Sequence, residues 1–571
     1  MFVVEFDECC CLLLVKCCGC LVCCCCLVCC SGTDSSLSLS LSLSLSLRSY
    51  LNEASTAWQR MDCSRNIDDI LRTVPTTMPI LTIQSDMNLC NLYVTVQRNT
   101  GEEEESNGES NGESGDGSSG TVPVVDCSVT RHVLTNEQTS SLRNILNKCS
   151  VWRKKLPGAL ARMSTSPSVD RASASGVGVD TDGTAESVGS ASSPISSDAM
   201  QDQFNEIVHD MNQLLDPFVR TTSVMSVLRR GNPSHCVVSL DLRLQPLPLE
   251  LLPCLQDWHL PPVRVLAGGA AEGTEDEIEN SVTVPEVVAP PSLSRDFSLH
   301  VLGSRLMSSG AVDATSIPTT QMGSLKYVID PRNEDRGEEK GNGTKDVEDE
   351  EIISTVDTTF SYLKEKYSSG SWEGLCGKET VPSWAEWQRT LLGATGGGSS
   401  GGGVFLSYGL GPTLAHFPPG RLAGTSNFGV RLALLVGRSA TESSLRRLAK
   451  LANKKTTAEI RLEGSVETSV LMTLAGVDTV VVNGWAASLS SNRRFMLRVM
   501  PKLVDGISVA RAVAESMEMV GSGGSGGSGG GKDGKKKKKG ESKEVEDEGV
   551  LKTRVQANPT VYGLPHLVVG K

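Results

Sequence analysis

The chain has 571 residues, 39% of them apolar and only 4% aromatic, with a net charge of -13 and a pI near 5.2. Apolar residues together with 56 glycines reach about the half expected of a globular protein, so a core can form. Acidity and scarce aromatics disfavour a nucleic-acid partner, which requires a basic stripe and stacking side chains.

The chain opens on a stretch rich in cysteine, with 12 of the 19 cysteines between Cys9 and Cys30, followed by a Leu-Ser alternation from Leu37 to Leu47. Lys16 interrupts the apolar run, and Glu5, Asp7 and Glu8 stand where a signal peptide carries positive charge. Residues 1–48 are therefore expected to be unstructured or non-native sequence, with a membrane segment or an acylated cysteine cluster as the alternatives. The other seven cysteines (Cys63, Cys90, Cys127, Cys149, Cys236, Cys254, Cys376) are dispersed without CxxC pairing and read as buried thiols rather than a disulfide framework.

From residue 49 to 520 short apolar runs alternate with amphipathic stretches, the pattern of a layered α/β fold with a mostly parallel sheet. Strands are expected at Ile80–Ile83, Leu92–Gln97, Cys236–Leu240, Tyr327–Ile329, Val404–Leu406, Leu432–Val436 and Thr479–Val482, several of them continuous apolar runs suited to burial on both faces. Helices are expected at Asn136–Asn147, Gln203–Leu215, Ser294–Leu306, Ile352–Tyr367, Ser383–Leu392, Ser443–Lys450, Val466–Leu474, Asn492–Val504 and Ser508–Met517. In the second of these Phe204, Val208, Met211 and Leu215 fall on one stripe, so that helix buries one face. Segments near 101–120, 164–197, 268–291, 333–351 and 396–403 lack the apolar content to offset ordering entropy and read as disordered loops. The pieces between them are too short to fold alone, and long insertions in one domain cost little stability. A Gly/Ser and charged linker occupies 521–549, where the basic run Lys535 to Lys539 is followed at once by Glu541, Glu544, Glu546, Asp547 and Glu548. Residues 550–571 read as a terminal strand returning to the domain, and no 20–50-residue period recurs.

The order of several segments resembles the CHAT family, the separase-related, caspase-like proteins often joined to tetratricopeptide repeats. Leu247-Pro248-Leu249-Glu250-Leu251-Leu252-Pro253 resembles the family's LPFEALP segment, and Ser294-Arg295-Asp296-Phe297 resembles the helix start after it. Tyr327-Val328-Ile329-Asp330-Pro331 is similar to the strand ending in Asp-Pro, and Leu474 through Trp485 to the LAGARSVVASLW segment. Asn558-Pro559 to Gly570 resembles the closing strand. The resemblance implies a caspase-like fold with a His at the end of one strand and a Cys at the end of the next. At the matching places this chain has Tyr408, in Leu406-Ser407-Tyr408-Gly409, and Arg438, after Leu435-Val436-Gly437. Tyr, with a pKa near 10, is a poor base at neutral pH, and Arg is neither nucleophile nor base. The resemblance therefore implies a protease fold without a catalytic dyad, with no cofactor, metal or small-molecule substrate. A cysteine peptidase whose dyad lies elsewhere is the alternative.

Other candidate sites are weaker. His416, eight residues past Tyr408, has no thiol after it in the family's order; Cys376 stands before the Tyr408 strand. His235, Cys236, Cys254 and His259 match no zinc spacing, and neither a G-x-S-x-G elbow nor a G-x-x-x-x-G-K-[ST] loop occurs. Trp372-Glu373-Gly374 and Pro382-Ser383-Trp384-Ala385-Glu386-Trp387 are similar to the carboxy-terminal region of a tetratricopeptide-repeat protein of the central pair apparatus of motile cilia. That likeness implies a cytoplasmic, cytoskeletal place in the cilium axoneme, other central-pair proteins as partners, and a chain lacking upstream repeats. It also makes Trp372, Trp384 and Trp387 candidate partner contacts, since Trp is favoured at interface hot spots; packing over the chain's own sheet is the alternative.

Overall fold

The computed structural model describes residues 67–99, 125–165, 197–229, 233–256, 292–309, 317–332, 335, 354–368, 372–377, 383, 385–387, 403–413, 422, 429–439, 441–518 and 559–570. In chain order the first half contributes α1 (Ile67–Thr73), β1 (Ile80–Ser85), β2 (Asn91–Asn99), β3 (Val125–Val133), α2 (Asn136–Thr165), α3 (Ser197–Val219), α4 (Thr222–Arg229), β4 (His235–Leu240), a 3-10 turn (Leu249–Leu251) and α5 (Pro253–Gln256). Then follow β5 (Ser292–Asp296), α6 (Leu299–Ser308), β6 (Thr319–Ile329), α7 (Thr355–Tyr367), β7 (Glu373–Cys376), β8 (Gly403–Leu410) and β9 (Val430–Ser439). The last part holds α8 (Glu442–Ala452), α9 (Thr457–Leu462), α10 (Ser465–Leu474), β10 (Thr479–Asn483), α11 (Leu489–Val504), α12 (Val509–Glu518), β11 (Pro559–Gly563) and β12 (Val568–Gly570).

These strands make one 12-stranded sheet in the order β12-β6-β8-β9-β10-β11-β5-β4-β1-β2-β3, with β7 also paired to β6. Strands β6, β7, β8, β9, β10 and β12 run parallel to their neighbours in one half. In the other half β11, β5, β4 and β1 are parallel. The halves join through the antiparallel pair β10–β11, and β2 and β3 extend the sheet antiparallel at its far end. The layered α/β fold with a mostly parallel sheet is thus as the sequence pattern indicates.

Alternation along each strand divides the core between two faces. Leu432, Leu434 and Val436 of β9 join Val404, Leu406 and Tyr408 of β8 on the face covered by α6, α7, α11 and α12. Ala433 and Leu435, with Phe405, point to the opposite face against Leu471 and Met472 of α10. On that same side, Leu81 and Ile83 of β1 and Val94 of β2 pack against Trp152 of α2 and Phe204, Val208, Met211 and Leu215 of α3, the stripe read from the sequence. Helix starts are fixed locally: Thr456 and Glu459 form a reciprocal capping box for α9, and the Ser354 hydroxyl accepts from the Asp357 N–H at the start of α7. Among the described residues no helix is long and apolar enough to cross a membrane.

The seven expected strands are all present. The helix expected over Ser294–Leu306 is not: its first part belongs to β5, and helix begins only at Leu299. β5 lies between β4 and β11, so its polar residues Ser294, Arg295 and Asp296 are buried by tertiary pairing that local propensity does not reveal. The terminal piece is two strands, pairing with β10 and β6, rather than one. Cys90 and Cys127 are exposed rather than buried, because Cys127 sits on the open face of the edge strand β3; Cys149, Cys236 and Cys254 are buried as expected, and Cys376 is half-buried. Residues 1–48, Cys63, the linker 521–549 and the expected loops, apart from Thr165, Ser197, Asp335, Gly403 and their immediate flanks, lie outside the described residues, as does most of the expected helix Ser383–Leu392.

Candidate functional site

The carboxyl ends of β8, β9 and β10 lie side by side, the place where an open α/β sheet positions groups for chemistry or binding. The main chain there is tightly held. Gly411, with φ of 73°, donates its N–H to the Ser439 carbonyl at 2.9 Å, and the Arg438 N–H donates to the Gly411 carbonyl at 2.7 Å. The Asn483 side chain at the end of β10 donates to the Gly437 carbonyl at 2.6 Å, and Asn492 of α11 donates to the same carbonyl at 3.1 Å and to the Ser439 hydroxyl at 2.8 Å. Beside β8, the Asp330 N–H at the end of β6 donates to the Tyr408 carbonyl at 2.8 Å.

The structure brings Tyr408 and Arg438 to neighbouring strand ends but sends their side chains to opposite faces. Tyr408 is 1% exposed, within the apolar layer under α7 and α11. Its hydroxyl is buried without a hydrogen bond of ordinary geometry, Thr359 being the polar group close enough to act on it, and burial raises its pKa above the usual value near 10. Arg438 adopts φ of 60°, at an irregularity in the β8–β9 register, and its guanidinium donates to the Glu463 carbonyl at the end of α9. Burial, with the charge of Arg153 beside it, pulls its pKa down to about 10, which still leaves it cationic at pH 7. The pair offers neither a nucleophile nor a base at neutral pH.

The groups around Arg438 were not evident in the sequence. Arg153 of α2 donates to the Gly484 carbonyl after β10, from 331 positions away along the chain. Ser465 at the start of α10 donates its hydroxyl to the same carbonyl at 3.1 Å. Trp485 packs against the Trp152–Phe204 pair, at ring separations of 5.8 and 5.4 Å, and so fixes α2 and α3 against the turn that follows β10. The segments that carry the CHAT resemblance explain one another structurally. Arg295 of β5 is bonded to the Glu250 carboxylate and to the carbonyls of Gln245 and Leu247, which holds the Leu-Pro-Leu-Glu turn against the sheet. Arg305 of α6 donates to the Val477 and Asp478 carbonyls just before β10, and its Nε stands 3.2 Å from Asp296 as an ion pair without hydrogen-bond geometry.

The tryptophans are placed differently from the expected partner surface. Trp372 is buried beside Phe360, and Trp387 is buried against Val328 and Phe405, so both pack in the chain's own core and present no ring to a partner. Trp384 lies outside the described residues, as do His416 and His259. The Cys376 thiol donates to the Asp357 carboxylate at 3.5 Å, the Cys236 thiol is fully buried within β4, and His235 pairs with the Ser292 hydroxyl at 2.5 Å. Among the described residues no group of three or more His, Cys, Asp and Glu is arranged to hold a metal ion.

Fold and site together define a layered α/β protein whose strand carboxyl ends carry a phenol and a guanidinium on opposite faces of the sheet. No protein-family model matches the chain, and no curated protein matches it. Among solved structures it is similar to a chain of the Saccharomyces cerevisiae separase-securin complex, determined at 2.6 and at 3.0 Å, at 10% identity and a TM-score of 0.45. That likeness covers 88% of this chain and 31% of the other, so this chain spans about a third of that length. The complex of Porphyromonas gingivalis RgpB pro- and mature domains is similar at 11% identity and a TM-score of 0.30, over 63% of this chain and 70% of that one.

Proposed function

We propose that this chain is a catalytically inactive, caspase-like domain that acts by binding other proteins, as a structural component of the central pair apparatus of motile cilia. The observation that carries the inactive half of this reading is the replacement of the family's His and Cys by Tyr408 and Arg438, held on opposite faces of adjacent strands. The ciliary half rests on the wording of the sequence. The Leu-Pro-Leu-Glu-Leu-Leu-Pro, Ser-Arg-Asp-Phe-Ser-Leu and Pro-Ser-Trp-Ala-Glu-Trp segments, in that order, look most like the carboxy-terminal region of cilia- and flagella-associated protein 46, a component of the C1d projection. On this reading the domain contributes to central-apparatus assembly and ciliary motility.

The two halves are tested separately. Removing the coding region for 67–571 in a ciliated cell should leave central pairs with a defective projection and an altered waveform; normal projections and normal beating would overturn the ciliary assignment. Incubation of the purified chain with a peptidyl electrophile should label no cysteine site-specifically. Labelling that disappears on changing one cysteine would establish a peptidase instead.

A further inference from the structure

Burying a guanidinium without a counter-charge is costly, and buried cations are normally found paired. Arg153 and Arg438, both partly buried, meet this rule only in part, with acidic charge nearby but no carboxylate bonded to either among the described residues. Each donates to one main-chain carbonyl, Gly484 and Glu463 respectively, and among the described residues neither is bonded to a carboxylate. Each guanidinium has five N–H donors, so most of the set is uncommitted. The two are brought together by one short stretch of chain, each half-buried itself. The Gly484 carbonyl that accepts from Arg153 also accepts from Ser465, two residues past Glu463, and the Ala487 N–H donates to the Arg438 carbonyl at 3.3 Å. Among the described residues the acids nearby are not bonded to either guanidinium: the Glu463 carboxylate is taken by Lys455, and Glu467 acts on both arginines only through space. The backbone under this pair is fixed by Asn483 and Asn492, so the guanidiniums are presented from a rigid support.

We propose that Arg153 and Arg438 form a binding site for a carboxylate carried by an acidic peptide segment of a partner protein. The fork of a guanidinium matches the two oxygens of a carboxylate, and two forks on one rigid support hold such a group with defined direction. A singly charged carboxylate fits better than a phosphate because Glu467 stands close enough to oppose a second negative charge, and the overall charge of -13 opposes any extended polyanion. The inference rests on the reading of the domain as a binding module, not on its cellular location.

The test uses the full chain, with hexaglutamate and inorganic phosphate as separate probes at matched ionic strength, in titration calorimetry and thermal denaturation. Hexaglutamate should bind and raise the midpoint, and Arg153→Gln and Arg438→Gln should each weaken it by about tenfold or more, as for loss of one partner of a close charge pair. Lys155→Gln, at an exposed position on α2, should leave binding unchanged. Equal loss in Lys155→Gln, or no loss in either arginine variant, would overturn the site. Phosphate binding as strong as hexaglutamate with the same arginine dependence would overturn its assignment to a peptide carboxylate. If a glutamine variant does not fold, Arg153→Lys and Arg438→Lys keep the charge and lose the fork; undiminished binding in both overturns the proposal. Cysteine labelling by a peptidyl electrophile would end the inactive-enzyme reading without altering the arginine result, so the two failures are distinguishable.

Discussion

Arg305 and Asp296 are 3% and 1% exposed, and each is the charge that makes burial of the other tolerable. Arg305→Met leaves Asp296 buried with no counter-charge and frees the Val477 and Asp478 carbonyls and the Thr473 hydroxyl. It should cost about 3–5 kcal/mol in urea unfolding, and Arg305→Met with Asp296→Asn should recover much of the loss. Two histidines respond to pH in a direction that can be worked out. Burial holds His566 down to about 4, and burial together with the nearby charges of His566 and Arg511 holds His235 down to about 4, against an ordinary value of 6.5. The unfolded chain therefore binds protons first, so their contribution is complete above pH 6.5 and is lost as the pH falls through about 4. Burial raises Asp296 and Asp478, which push the other way on acidification, so wild type alone is a poor gauge. Stability measured from pH 7 to 4 in His566→Gln should fall less steeply than in wild type; parallel curves would refute this account.

At the scale of elements, legibility in the sequence follows burial on two faces. β8, β9 and β10 are almost wholly buried and read as apolar runs, so their ends and the positions of Tyr408 and Arg438 could be located from sequence and resemblance alone. β5 and β7 could not: one is a short polar strand between two partners, the other four residues with Glu373 and Gly374 exposed. Arg153 carries no local signal at all, because its role depends on a contact made 331 positions away. The tryptophan motif was visible, but a sequence does not say which face a ring takes, and Trp372 and Trp387 took the core. One turn between elements is more constrained than its composition suggests. Gly563 ends β11 at φ of 101°, and a Cβ there would meet the Asp478 carbonyl oxygen at 2.1 Å as well as the Arg305 guanidinium. Gly563→Ala should therefore destabilise by more than about 1 kcal/mol, read as a lowered denaturation midpoint with the unfolding slope unchanged.

Across the whole molecule, the strand pairing that joins the two oppositely directed halves of the sheet runs, among the described residues, through β11, which pairs antiparallel with β10 and parallel with β5. β11 follows all other described strands except β12, so residues 559–563 close the gap between halves formed by earlier segments. Val561, Tyr562, Leu564, Leu567 and Val569 are all 3% exposed or less, and Thr479 donates its hydroxyl to the Leu564 carbonyl at 3.0 Å. At roughly 1.5–3 kcal/mol per buried side chain, their burial amounts to on the order of 10 kcal/mol. That is comparable with the entire stability of a typical domain, about 5–15 kcal/mol. Losing β11 would also leave β10 and β5 as unpaired edges in mid-sheet, exposing their backbone to association with other chains. A chain ending after Val520 should accordingly fail to unfold cooperatively, be cut rapidly by protease within 292–296 and 479–483, and self-associate in size-exclusion chromatography. A peptide of residues 550–571 added in excess should restore protection, since covalent attachment otherwise supplies that segment at high effective concentration. A truncated chain that stays monomeric and melts cooperatively near the full-length midpoint would show that each half is self-sufficient and that β11 merely decorates their boundary.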